Sequence, residues 1–151
     1  MLVVLIVNQH HNITHPKVIS FPLGVKEREG MWESVQRAVR YGTKKESLFF
    51  SASSGWGPRP YLLECVREKL RQEMTATLSK LSPSQYRSQL ISSRLVLCMP
   101  GLGYDTYRVW EALIAGSMPV LERGIGLDRT LWKLPALLVE DFSSLSPSLL
   151  R

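Results

Sequence analysis

Residues 94–122 read RLVLCMPGLGYDTYRVWEALIAGSMPVLE, and the spacing of apolar side chains changes along that stretch. Arg94 to Met99 is a nearly unbroken apolar run of strand length. Pro100 to Asp105 is a loop punctuated by Gly101 and Gly103. Thr106 to Ala115 carries its apolar residues at helical intervals, Gly116 ends the helix, and Met118 to Leu121 is a second strand. Two short strands joined through a helix must run parallel, because the helix has to carry the chain back to where the first strand began.

The same rhythm extends outward from this unit. Upstream, Ser82-Pro83 is a helix start with a hydroxyl cap and a proline at the first helical position, and the helix turns Tyr86, Leu90 and Ile91 inward. Before it, Tyr61 to Met74 is helical by the spacing of Leu62, Leu63, Val66 and Leu70. Glu46 to Ala52 is a buried strand, followed by a Gly- and Pro-rich loop from Ser53 to Pro60. Gly30 to Tyr41 places Met31, Val35, Ala38 and Val39 on one helical face and Glu33, Arg37 and Arg40 on the other. Downstream come a short helix over Leu127–Lys133, a strand over Ala136–Glu140 and the start of a helix over Ser143–Arg151. The class is α/β: a Rossmann-like parallel sheet with helices on both faces.

The N-terminal part is organised differently. Met1 to Val7 reads as a buried strand rich in Val and Leu, Asn8 to His15 as a polar turn, and Lys17 to Phe21 as a short strand stopped by Pro22-Leu23-Gly24. The apolar run is far short of the roughly 20 residues of a membrane span and has neither the basic start nor the cleavage site of a signal peptide. Residues 1–28 are therefore a connector with short strands, and 29–151 the Rossmann-like domain. A chain that opens on a core strand reads as a fragment of something longer.

Composition narrows the function by exclusion. With 151 residues, 44% hydrophobic and 21% charged, the chain has the profile of one ordinary globular domain. The net charge of +6 is dispersed: Lys44 and Lys45 are the only adjacent lysines, and nucleic acid is not an expected partner. Cys65 and Cys98 form neither a Cys-x-x-Cys pair nor a zinc-spaced cluster and read as small buried hydrophobes, so no metal or other cofactor is expected. A response-regulator-like domain would need acidic residues gathered at strand ends, and none are visible.

The chemistry points to the loop after the Arg94–Met99 strand, since ligands of open parallel sheets bind beyond the carboxyl ends of the strands. Gly101 and Gly103 let backbone approach a ligand, and Asp105 or Thr106 stands at the start of a helix whose free N–H groups suit a phosphate. The loop is not the dinucleotide fingerprint, which needs glycine where Thr106 stands. Arg108 and Glu111 follow on neighbouring positions of one helical face. They suit a pyrophosphate and ribose hydroxyls respectively, or else an i,i+3 salt bridge on a solvated face.

Leu95 to Glu122 resembles the donor-binding core of exostosin-like glycosyltransferases and their ribitol xylosyltransferase relatives. There a strand, a Pro-Gly-rich loop, an Arg-x-x-Glu-Ala-Leu helix, a glycine and a Pro-Val strand follow in this order. HPKVISFPLGV (residues 15–25), Glu46 to Ala52, and Arg59 ahead of a helix resemble the upstream part of the same family. The resemblance implies the C-terminal half of a GT-B fold and inverting transfer from a UDP-sugar, a substrate rather than a cofactor, to a glycan acceptor. It also implies a Golgi location, on the lumenal side of the membrane, through a segment absent from this chain. Carried over by position, Glu111 matches the ribose-binding glutamate, and Arg108 with the Gly101–Thr106 loop matches the diphosphate-facing turn. Arg59 is a second cation for the diphosphate.

One departure stands out. Many GT-B enzymes carry a glutamate eight positions before the ribose glutamate, and Gly103 occupies that position here. For the general base, His10, His11, His15 and Asp105 have the right chemistry, but no spacing places them beside an acceptor, so no catalytic residue is assigned. Trp56 and Tyr107 are candidates for stacking on uracil or sugar, whereas Trp110 reads as core. The alternative from a different class is a non-catalytic, degenerate module of the same fold that binds an acidic glycan through its basic surface.

Overall fold

In the computed structural model, the described residues are 3–6, 15–26, 32, 33, 35, 36, 39, 44, 46–51, 59–70, 74–77, 81–101, 103–123 and 133–150. Two short strands come first, β1 (Val4–Ile6) and β2 (Val18–Ser20). The main body follows as β3 (Glu46–Ser51), α1 (Arg59–Lys69), β4 (Met74–Thr77), α2 (Pro83–Ser92), β5 (Ser93–Leu97), α3 (Tyr107–Ile114), β6 (Met118–Glu122) and β7 (Leu137–Val139). The 3-10 turns Phe142–Ser144 and Pro147–Leu150 close the chain.

The five later strands form one sheet in the order β4-β3-β5-β6-β7. Every pairing in it is parallel. Alternation along the strands divides the core between two faces. Leu95, Leu97 and Met99 point to one, where they meet Leu63 and Val66 of α1, Leu70 just after it, and Phe142 and Leu145 at the C-terminal turns. Val96 and Cys98 point to the other, against Leu90 of α2, Val109 and Ala112 of α3, and Val35. Trp32, Glu33, Val35, Gln36 and Val39 are helical, with Val35 buried, as the spacing predicts for 30–41. The α/β, Rossmann-like reading holds, with helices on both faces.

Local chemistry explains the boundaries. Ser82 caps α2 as half of a capping box: its Oγ accepts from the Gln85 N–H at 3.3 Å, and Gln85 Oε1 accepts from the Ser82 N–H at 3.0 Å. α3 ends in a Schellman motif, the Ser117 N–H donating to Ala112 O at 2.8 Å and the Gly116 N–H to Leu113 O at 3.0 Å. Gly116 adopts the φ of +65° that this motif needs and that glycine tolerates best.

Three elements depart from expectation. The N-terminal apolar run is not buried: β1 pairs with β2 in a separate two-stranded parallel sheet, leaving Val3, Val4 and Leu5 exposed. Helix α1 stops at Lys69, and β4 forms a short strand where the apolar spacing had carried the helix on to Met74. The expected C-terminal helix is replaced by 3-10 turns, the first capped by Asp141 Oδ1 accepting from the Ser144 N–H at 3.0 Å. Most of the helix expected over 127–133 lies outside the described residues.

Candidate functional site

The chain leaves β3 for β4 on one side of the sheet and returns across it to β5 on the other. The connections after β3 and β5 therefore lead to opposite sides, and the carboxyl ends of these two strands are the topological switch point at which open parallel sheets have their ligand crevice. The loop Cys98–Thr106 leaves β5 at that point and feeds α3. The loop after β3 lies at 52–58, outside the described residues, and takes Trp56 with it. It delivers the chain to Arg59, the first residue of α1, whose side chain is likewise outside the described set.

At the mouth of α3 the cap is unusual. Thr106 stands at the N-cap in extended conformation, φ −125° and ψ 149°, but gives no side-chain hydrogen bond to the first turn. Its Oγ1 is buried without a hydrogen-bond partner. The first helical N–H groups thus have no acceptor from the cap side chain, and the positive end of the helix is the local electrostatic feature. Before it the loop is tightened by the Gly101 N–H donating to Gly103 O at 2.9 Å.

Asp105, the other residue expected at this cap, turns inward instead. It is 3% exposed, its Oδ2 accepting from the Leu23 N–H at 2.6 Å and its Oδ1 from Trp110 Nε1–H at 2.7 Å. Burial raises its carboxyl above the usual range, and the two donated hydrogen bonds partly offset this. Asp105 therefore ties the Pro22-Leu23-Gly24 segment to the base of α3. Trp110 packs on the α2–α3 core with its indole N–H satisfied, in keeping with its reading as core.

Arg108 and Glu111 do not lie on a solvated face. Tyr86 of α2 donates its hydroxyl to Glu111 Oε2 at 2.7 Å, and the Arg108 guanidinium reaches the same hydroxyl. Arg108 Nε and Nη1 are buried. Burial and the adjacent Glu111 carboxylate push the Tyr86 phenol well up, against the lowering pull of Arg108, so the hydroxyl remains a donor throughout the neutral range. Tyr86 joins this cluster although its spacing marked it only as an inward helix position. The available signal was a phenol on an otherwise apolar face, since a buried tyrosine hydroxyl needs a partner.

The remaining candidates divide simply. Tyr107, 42% exposed on the first turn of α3, faces solvent beside the crevice. His15 is exposed and structures its own turn, its Nδ1 accepting from the Lys17 N–H at 3.1 Å. His10 and His11 lie outside the described residues. Cys98 is buried and Cys65 half-buried, neither of them in a disulfide. Among the described residues no group of three or more His, Cys, Asp or Glu gathers as for a metal, and no helix is long and apolar enough to cross a membrane.

Residues 60–128 match a family described as the RXYLT1 C-terminal domain. The matched stretch runs from the start of α1 past β6 and includes α2, the β5–α3 loop and α3. Over that stretch it supports the resemblance to the C-terminal domain of exostosin-like glycosyltransferases. A comparison with curated proteins found no match.

Proposed function

We propose that this chain is the donor-binding domain of an inverting glycosyltransferase of GT-B architecture, holding a UDP-sugar for transfer to a glycan acceptor on the lumenal side of the Golgi membrane. The observation that carries the reading is the meeting of Arg108, Glu111 and the uncapped start of α3 at the switch point of the sheet, within the segment that matches the family. A departing UDP needs positive charge at its diphosphate, and a helix N-terminus with a nearby guanidinium offers it without a metal. Arg108 and Arg59 are the cations assigned to the diphosphate, backed by the Gly101–Thr106 loop, and Glu111 is the ribose acceptor. In this reading Asp105 shapes the loop from behind rather than touching the donor.

Calorimetric titration of UDP tests the reading directly. The expected Kd lies in the micromolar to millimolar range, on the order of −4 to −8 kcal/mol. Glu111→Ala and Arg108→Ala, each verified as folded, should lose roughly 1–3 kcal/mol, the size of a hydrogen bond to a charged group. A folded chain that ignores UDP, or variants that bind as well as the parent, would sink the assignment. Heparin binding that falls with salt and ignores Glu111 would favour the degenerate glycan-binding module instead.

A further inference from the structure

The contact between Tyr86 and Glu111 joins two helices that approach the crevice from different crossovers. α2 arrives from β4 and α3 leaves β5, so the sheet order itself brings their N-terminal turns side by side. The Tyr86 ring is fixed from below by Phe49 of β3, with ring centroids 6.0 Å apart and planes tilted by 55°. Phe49 is completely buried, and one turn upstream the Ser82–Gln85 capping box pins the start of α2. The phenol oxygen consequently has little freedom. A carboxylate is rigid and planar, so holding Oε2 at 2.7 Å also limits where Oε1 can point.

Resting on the donor-site reading above, we propose that Tyr86 is a positioning residue: its hydroxyl holds Glu111 so that the other carboxylate oxygen is presented to a ribose hydroxyl of the nucleotide. A glutamate side chain left to itself samples several rotamers and must be ordered when the ligand arrives. Tyr86 performs that ordering in advance, so the ribose hydroxyl meets an acceptor already in place. The same cluster sets Arg108 beside the pair, its guanidinium reaching the Tyr86 hydroxyl.

The test compares UDP with 2′-deoxy-UDP and 3′-deoxy-UDP by calorimetry on the parent chain, Glu111→Ala and Tyr86→Phe, with thermal melts to confirm folding. The parent should prefer UDP over at least one deoxy nucleotide by roughly tenfold, as for one charge-assisted hydrogen bond. Glu111→Ala should erase that preference. Tyr86→Phe should cut it to within about threefold while leaving deoxy-nucleotide affinity within about twofold, because the lost interaction is the ribose contact alone. Tyr86→Met, which fills much of the same space and brings no donor, should behave alike and stands in if Tyr86→Phe melts early. If Glu111→Ala loses the preference and Tyr86→Phe keeps it, Tyr86 is only a strut between helices and the inference falls alone. If the folded parent shows no preference, or binds no UDP, the donor-site reading falls and the inference with it.

Discussion

Lys44 occupies the end of the sheet opposite the crevice, just ahead of β3. Its ammonium donates to Ala115 O at 2.7 Å, Ser117 Oγ at 2.9 Å and Leu90 O at 3.4 Å. The two carbonyls belong to the last turns of α2 and α3, which the helix dipoles make negative, so one cation closes both helices. Ser117 Oγ sits within 2.8 Å of Leu90 O and 2.9 Å of Ser93 O and completes the knot. Lys44→Met keeps the length of the stem and removes the donors, leaving carbonyls and a hydroxyl short of a partner. It should destabilise by about 1–3 kcal/mol, read as a lower denaturant midpoint with an unchanged slope. UDP affinity should not move, since the knot lies across the sheet from α3's first turn. An equal loss of affinity would mean that the two ends of the sheet are coupled. In the sequence Lys44 is merely half of a Lys-Lys pair, because its role depends on carbonyls from residues 90 and 115, which only the crossovers bring together.

At the scale of the element, α2 and α3 were readable and β4 was not, and the difference is physical. Ser82, Pro83 and Gly116 act on their own neighbours, through a cap, a preset φ and a left-handed turn, so their effects can be read from a short window. Met74–Thr77 is an edge strand paired only with β3, held by a register partner 26 residues earlier at Leu48, and nothing local in MTAT demands it. β1 misled in the opposite direction, since its uniform apolar run is what a strand buried on both faces would show. Gly116 supplies the sharpest test of a local signal. An added Cβ there would meet Val39 Cγ1 at 2.9 Å, on a backbone with φ +65°. Gly116→Ala should cost about 1–2 kcal/mol from the left-handed backbone, with more from displacing Val39. A Gly116→Ala chain as stable as the parent in chemical denaturation would show that the turn rearranges freely.

At the scale of the whole molecule, the sheet order decides where chemistry can occur, and the sequence indicated the class without the order. Alternating strands and helices implied parallel pairing, which puts the loop 100–106 beyond the carboxyl end of β5. The neighbour relation of β3 and β5, which brings Tyr86 to Glu111, depends on a long-range choice of pairing that no single segment encodes. The same fold draws two ionisable groups out of water at opposite ends of the sheet, and their titrations give a pH profile with a definite sign at each end. Burial raises Asp105 above the ordinary carboxyl value of 3.8, so the folded state holds that proton more tightly than the unfolded one. Its contribution to stability is complete below about 3.8 and is lost as pH rises through the elevated value. Lys44 is lowered from 10.5 by desolvation, so its contribution is complete above 10.5 and is lost as pH falls through the lowered value. Differences between parent and variant isolate each group, because all other titrations cancel. The stability of the parent minus that of Asp105→Asn should fall as pH climbs from about 4 towards neutrality, and that of the parent minus Lys44→Met should rise between neutrality and pH 10.5. Denaturant melts across both windows measure the slopes. A flat difference for Asp105→Asn would mean that the hydrogen bonds from Leu23 and Trp110 fully offset its burial. For Lys44→Met a flat line would mean that the ammonium stays hydrated while it closes the two helices.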